Sequence, residues 1–488
     1  MLKKLFCLFA LFSLLLTLCV PLSSCNTDSS NSNNDQSSSE ENQSQNQSVN
    51  NDDTEKSSSK PDKTDSTENT DITDAENKTD MTDITDITDI TDITDKVTEK
   101  PDATDDFENV ILEDVTRYNM DKFIYPIWDG DISYAEAAFV REAEDLTVKP
   151  IELLYPIEEI ISVRSADLSI EYVNGKDYYV EDGKLHIIEW GDIPILKYND
   201  YFFELSDEEH EQNNLNTKFP AANNRGWGYI RAEIGQNKPG MSQWTLAVTY
   251  THSAESVVNV PEDKSANFEK LISKLEAGED ITLVSTGDSI TDGWSASGKS
   301  GVGIEPKCPP YNRIVESYIR NTYQVRITHH NVGVSGSNTN GGVGKLDEIC
   351  EKNPDLVLIA FGMNDGCGIA PAQYISNINK MVSTIEKKCP DACIVVVSTC
   401  LPNEEVAWAP GGNSILKYHI DYVEYLQEAE KNWNNASLAD VTTVNVEMFE
   451  RKVYQDVAGS NSNHPNDYMH RIYAQVILRT VFGDYYGN

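Results

Sequence analysis

The chain has 488 residues, 80 acidic against 39 basic side chains and a formal net charge of −41. That length implies about three segments or domains. The acidity argues against nucleic acid as a partner and against adhesion of the folded part to anionic membranes, since both require a basic face.

The first residues, MLKKLFCLFALFSLLLTLCVPLSSC, join two lysines, a long apolar run and small residues. That is the layout of a secretory signal over residues 1–24. The run could also serve as an uncleaved anchor, since its length approaches that of a bilayer span. It ends in Leu22-Ser23-Ser24-Cys25, which resembles a bacterial lipoprotein processing box. The resemblance implies cleavage before Cys25, lipidation of that cysteine and an extracellular, lipid-anchored protein that meets the membrane only through the lipid. Six further cysteines lie between Cys308 and Cys400, an even number that permits disulfides in an exported protein without fixing their pairing. Cys389 and Cys393 lack the companion ligands of a zinc site, and no metal or cofactor is expected.

Residues 25–106 are poor in everything a core needs. Thr82–Asp95 reads TDITDITDITDITD, whose three-residue period makes neither a helical stripe nor an alternating strand. From 26 to 106 the segment holds 23 acids and 6 bases, so 6 − 23 = −17 of the charge sits here. Such a composition predicts a disordered, self-repelling tether. Its coil dimension would be about 50 Å.

Residues 107–258 predict an all-β domain, a sandwich or jelly roll. The runs SADLSIEYV, DYYVEDGKLHII, PILKYNDYFFEL, GWGYIRAEI and QWTLAVTYTH are rich in β-formers. Asn174-Gly175 and Asp182-Gly183 have the chemistry of hairpin turns. Tyr178, Tyr179, Trp190, Tyr201 and Phe202 supply either core or a sugar-binding surface.

Residues 264–488 alternate short β-branched runs with helical segments. The runs are ITLVS, VRITHHNV, DLVLIAF, CIVVVST and VTTVNV; the helices include PAQYISNINKMVSTIEKKC and ILKYHIDYVEYLQEAEKNW. This predicts a parallel sheet covered on both faces, with any site at the carboxyl ends of its strands. Four such places stand out: Gly287-Asp288-Ser289, the loop around Gly336, Gly362-Met363-Asn364-Asp365, and Asn463-His464 before the last helix. Acyl transfer needs a nucleophile, a base and preorganised donors for the oxyanion. Ser289, His464, the Gly336 N–H and the Asn364 amide are residue types that fill those roles.

Here the chain resembles the SGNH (GDSL-type) hydrolases. GDSITDG is similar to the nucleophile block, VGVSGSNT to the second, FGMND to the third, and NHPND carries the histidine of the last. The resemblance implies a three-layer α/β/α, flavodoxin-like fold. It further implies Ser289 and His464 as the catalytic pair, with an oxyanion hole of the Ser289 and Gly336 N–H groups and the Asn364 amide. The family's last block usually reads Asp-x-x-His; here Asn461 stands in the aspartate's place. His464 is therefore oriented by Asn461 or a main-chain carbonyl, as a Ser-His dyad, or by a distant acid. Asp467 reads as the cap of the last helix. Asp288, Asp292 and Asp365 read as turn or cap residues, and His329 and His330 as structural. Met363 reads as local packing or an acyl contact. Trp294 and Trp408 lie on carboxyl-end loops, where an indole can stack on a sugar. The expected substrate is a short acyl ester, such as acetyl, on a carbohydrate. A lipase, arylesterase or thioesterase, or an inert glycan-binding protein, are the alternatives.

Overall fold

The computed structural model describes residues 119–204, 218–222, 227–230, 232, 238–299, 304–409 and 413–486. The expected signal peptide, Cys25 and the expected acidic linker lie outside the described residues. All described residues fall within one compact unit.

The N-terminal part forms three small antiparallel sheets. β1 (Ile132–Phe139) and β2 (Glu159–Ser165) flank β8 (Thr245–Thr251). β3 (Tyr178–Glu181) and β4 (Lys184–Ile187) make a hairpin, and β5 (Phe202–Glu204) and β6 (Lys218–Pro220) flank β7 (Trp227–Ile230). The β3–β4 turn works because Asp182 and Gly183 both take positive φ, 51° and 70°, as a two-residue hairpin loop with the sheet's twist requires. Of the aromatics noted in the sequence, Tyr178 and Tyr201 are core, while Trp190 is 89% exposed.

The C-terminal part is built on five parallel strands in the order β10-β9-β11-β12-β15. They are β9 (Ile281–Gly287), β10 (Ile327–Asn331), β11 (Leu356–Ala360), β12 (Cys393–Val397) and β15 (Ala436–Ala439); β13 (Ala407–Ala409) and β14 (Asn413–Ser414) form a small separate ladder. Helices α1 (Glu269–Glu276), α2 (Tyr311–Tyr323), α3 (Thr339–Gly344), α4 (Leu346–Glu351), α5 (Pro371–Lys388), α6 (Asp421–Glu430), α7 (Val441–Met448), α8 (Tyr454–Val457) and α9 (Asp467–Phe482) complete the unit.

The period of two along the strands separates the side chains into two layers. Leu283, Leu356, Leu358 and Val395 pack toward α1, α2 and α9. Val284, Val357, Ile359, Ile394 and Val396 pack toward α5 and α6. Every residue of β11 and β12 is buried, as expected for central parallel strands covered on both faces. Each such aliphatic side chain contributes about 1.5–3 kcal/mol by leaving water. This is a three-layer α/β/α arrangement, a parallel sheet with helices on both faces.

One run departs from the sequence reading. VTTVNV is not a strand: Val441–Met448 is α7, and the fifth strand is the alanine-rich Ala436–Ala439 before it. Asp440 decides the matter locally, because its side chain accepts the Thr443 N–H at 3.0 Å and caps the helix.

The two parts expected as domains share one apolar cluster, which runs from Ile124 and Trp128 through Tyr250 to α9. Thirteen residues of α9 are buried because it is covered by the sheet on one side and the N-terminal strands on the other. Polar groups reinforce this contact. Arg471 donates to the carbonyls of Phe123, Tyr134 and Ala135, and Gln475 to those of Phe123 and Tyr125. Lys452 and Glu136, both fully buried, pair at 2.7 Å across the same boundary. The six cysteines among the described residues are all free thiols.

Candidate active site

The strand order places a reversal between β9 and β11, the switch point at which open α/β sheets form their sites. Ser289 follows β9 in a tight turn closed by Asp292 N to Asp288 O and Trp294 N to Ser289 O, both 3.0 Å. Gly287 is required there. A Cβ on it would lie 2.1 Å from Thr291 Oγ1 and 2.3 Å from the Ala360 carbonyl. The Asp288 carboxylate accepts the Ile290 N–H at 2.9 Å and the Met363 N–H, so it ties the serine turn to the loop after β11. Burial pushes its pKa up to about 7, with Asp365 adding repulsion and the N–H bonds opposing. Asp288 is thus a turn residue, in keeping with its place in GDS.

The loop after β10 is fastened to β9 by Val332 N to Ser285 O and Val334 N to Gly287 O, at 2.8 and 3.0 Å. It turns at Gly336, whose φ of 77° favours glycine and above which a Cβ would meet nothing within 4 Å. Asn364 reaches this loop: its Nδ2 donates to Ser337 O at 2.8 Å. An amide nitrogen has two protons, so one remains to meet a ligand. Asp365 does not cap the 3₁₀ turn it begins. Its carboxylate accepts the N–H and the hydroxyl of Thr339 at the start of α3.

His464 is brought to Ser289 from the other side, in the short loop between α8 and α9. Its Nε2 lies 2.9 Å from Ser289 Oγ, and both residues are buried. The structure therefore joins Ser289 and His464 directly and sets Gly336 and Asn364 side by side in the neighbouring loops.

Asn461 is placed elsewhere. Its Oδ1 accepts from Tyr201 Oη, Asn403 Nδ2 and Gln455 Nε2, each at 3.2 Å, and its Nδ2 donates to Ile230 O at 2.9 Å. Its amide is engaged away from the His464 ring, which corrects the expectation that Asn461 orients that ring. Asp467 is likewise corrected. Asn466 caps α9 by accepting the Met469 N–H, while Asp467 accepts the N–H and hydroxyl of Ser297 at 2.8 and 2.6 Å.

Two contacts at the site carry no local sequence signal, although Trp294 itself stands out in the sequence as a carboxyl-end-loop indole. The first is the indole of Trp294, which lies against the His464 ring with centroids 5.8 Å apart and planes 26° apart. Its Nε1 donates to Asp292 Oδ2, which also accepts from Lys299 Nζ at 2.6 Å and Ser335 Oγ at 3.1 Å. Lys299 stands over the indole at 4.6 Å. The second is His470, one turn into α9. Its Nε2 contacts the Trp294 carbonyl at 3.2 Å, and burial pushes its pKa down to about 4. It is a neutral prop, with no call on the proton of Ser289. His329, buried between Ser285 and Glu316, is also structural. The side chain of Trp408 lies outside the described residues. Among the described residues no group of three His, Cys, Asp or Glu side chains is arranged to hold a metal.

The fold and the site define an α/β protein with a serine–histidine pair at the carboxyl ends of a parallel sheet. Residues 285–472 match the GDSL-like Lipase/Acylhydrolase family. An arylesterase of Vibrio mimicus is 40% identical over 62 residues, which are 12% of this chain and 31% of the arylesterase. The chain thus spans about a third of the length of that curated relative. Among solved structures, a two-domain esterase (CEX) active on acetylated mannans matches at 19% identity and a TM-score of 0.34, over 45% of this chain and 54% of that one. Axe2, an acetylxylan esterase from Geobacillus stearothermophilus, matches at 18% identity and 0.34, over 42% and 95%.

Proposed function

We propose that this protein is a serine esterase that removes short acyl groups, above all acetyl, from carbohydrates. The observation that carries the proposal is the 2.9 Å contact between His464 Nε2 and Ser289 Oγ. At that distance the imidazole takes the hydroxyl proton as Oγ attacks an ester carbonyl, and returns it to the leaving alcohol. Water then repeats the sequence on the acyl-enzyme. The oxyanion is met by the N–H groups of Ser289 and Gly336 and the free proton of the Asn364 amide. No step calls on a metal.

Acetyl-carbohydrate specificity is the finer part of the proposal. It is supported by the expected export of the chain and by the β-rich segment before the hydrolase domain, which we read as a sandwich or jelly roll. The lipid anchor at Cys25, and with it an extracellular position at the membrane, belongs to the same proposal; metabolic labelling with a palmitate analogue, lost in Cys25→Ala, tests it. The match to an arylesterase favours a second reading, in which longer or aryl esters are the substrates.

Acetate release from acetylated xylan tests the first reading. Wild type should release acetate and Ser289→Ala should not. Equal release by the two would end the proposal. A preference for eight-carbon over two-carbon nitrophenyl esters would favour the second reading.

A further inference from the structure

The N-terminal β segment does more than bury α9. The loop that carries His464 is short and tightly closed: Gly459 N donates to His464 O at 2.8 Å, Asn466 N to Val457 O at 3.0 Å, and His464 N to Ser460 Oγ at 3.2 Å. At its tip Asn461 takes φ of 59°, a left-handed conformation that asparagine tolerates better than most residues. The tip is fully buried. Asn403 holds it from the hydrolase side, through Asn403 N to Ser462 O at 2.8 Å and Nδ2 to Asn461 O at 3.1 Å. Gln455 of α8 bridges the hydroxyl of Tyr201 at 2.6 Å and Asn461 Oδ1 at 3.2 Å.

The remaining contacts come from the β segment. Tyr201, immediately before β5, donates its hydroxyl to Asn461 Oδ1, and the carbonyl of Ile230, at the end of β7, accepts from Asn461 Nδ2. β5 and β7 pair with each other, so one small sheet presents both groups. Tyr201 is itself fixed, fully buried and with the Arg141 guanidinium over its ring at 4.7 Å.

We infer that the β segment is a working part of the active site: Tyr201 and the Ile230 carbonyl grip the Asn461 amide and so hold the loop that presents His464 to Ser289. Tyr201 and Asn461 are positioning residues, since neither touches the reacting atoms. The arrangement also accounts for asparagine at this position. An aspartate would keep the oxygen that Tyr201, Asn403 and Gln455 bind. It would turn a second, negatively charged oxygen toward the Ile230 carbonyl, where Asn461 now places an N–H at 2.9 Å.

The inference rests on the esterase reading, and steady-state kinetics on 4-nitrophenyl acetate separate the two. The full chain is compared with Ser289→Ala, Tyr201→Phe and Asn461→Asp, with thermal midpoints recorded in parallel. The expected result is a fall in kcat of about tenfold in both positioning variants, with KM within about twofold, at a temperature where each is folded. Asn461→Asp, although it restores the residue usual in the family, should lose activity. A kcat within twofold of wild type in Tyr201→Phe and Asn461→Asp, with only a lowered midpoint, would overturn the inference and leave the esterase reading standing. So would an Asn461→Asp variant faster than wild type. Wild type no more active than Ser289→Ala would overturn both. Should Asn461→Asp not fold, Tyr201→Phe decides, since it removes one hydroxyl and leaves Gln455 bonded to Asn461.

Discussion

The indole of Trp294 lies against the imidazole of His464, 5.8 Å between ring centroids, while its Nε1 is fixed by Asp292. The same Asp292 oxygen holds Ser335, next to Gly336. One carboxylate thus links the wall behind the base to the turn expected to receive the oxyanion. Trp294→Ala should lower kcat by about 10- to 100-fold, because a base displaced by an ångström loses its alignment. Trp294→Phe, which keeps a ring against His464, should retain most of it. Equal kcat for wild type and Trp294→Ala on 4-nitrophenyl acetate would show that the indole is only a wall.

Glu136 and Lys452 test the union of the two parts of the chain. Both are fully buried, and Glu136 also accepts from Tyr250 Oη at 2.8 Å and Leu154 N at 2.9 Å. Lys452→Met leaves that carboxylate without its cation and should destabilise the fold by about 3–5 kcal/mol. The double variant with Glu136→Gln should recover a substantial share. Urea denaturation measures both; strict additivity of the two single changes would contradict the coupling.

Asp467 sets a pH dependence. Burial raises its pKa to about 6, against the two Ser297 bonds that pull it down. A carboxyl raised in the folded state binds its proton more tightly there. Its contribution to stability is therefore fully present below about pH 4 and lost as pH rises through 6, by about 3 kcal/mol for two units. Asp288, raised to about 7, acts in the same sense over a higher window. Glu316, lowered to about 2, acts in the opposite sense, and only below its ordinary range. His470 and His419, each lowered to about 4 by burial, act in the opposite sense over the same range, so the test is the difference between variants: relative to Asp467→Asn, the thermal midpoint of wild type should rise as pH falls from 7 to 5, giving the two proteins different slopes. An unchanged slope would refute the assignment.

Gly287 and Gly336 should respond differently to alanine. At Gly287 the new methyl meets Thr291 and the Ala360 carbonyl, so Gly287→Ala should destabilise by about 3 kcal/mol. At Gly336 the space is open and only the positive φ resists, a cost of about 1 kcal/mol. Gly336→Ala should therefore fold but turn over slowly, with its methyl beside the oxyanion. Differential scanning calorimetry with kcat on the same preparations reads both effects; a fully active Gly336→Ala would remove that glycine from the site.

Where the sequence is explicit, local chemistry is strong. ITLVS and CIVVVST read as buried parallel strands because β-branched runs of that length leave few alternatives, and GDSITDG stands where the first of them must turn. Elsewhere long-range contacts outweigh local pattern. VTTVNV has strand propensity but is helical, because Asp440 caps it and the sheet edge is already occupied by Ala436–Ala439. ISYAEAAF becomes β1 although its alanines and glutamate predict nothing of the kind; the buried glutamate is explained by distant partners, among them Tyr250 and Lys452, the latter 316 positions away. Asp467 reads as the cap of the last helix, but Ser297 engages its carboxylate and Asn466 caps instead. The hold of Tyr201 on Asn461 spans 260 positions.

The account stands most directly on Ser289 as a nucleophile activated by His464. A fluorophosphonate probe, with the adduct located by peptide mass spectrometry, measures this in one experiment. A single adduct on Ser289, forming at least about a hundredfold more slowly in His464→Ala, is the predicted result. An adduct on another residue, or labelling of Ser289 at the same rate without His464, would contradict it.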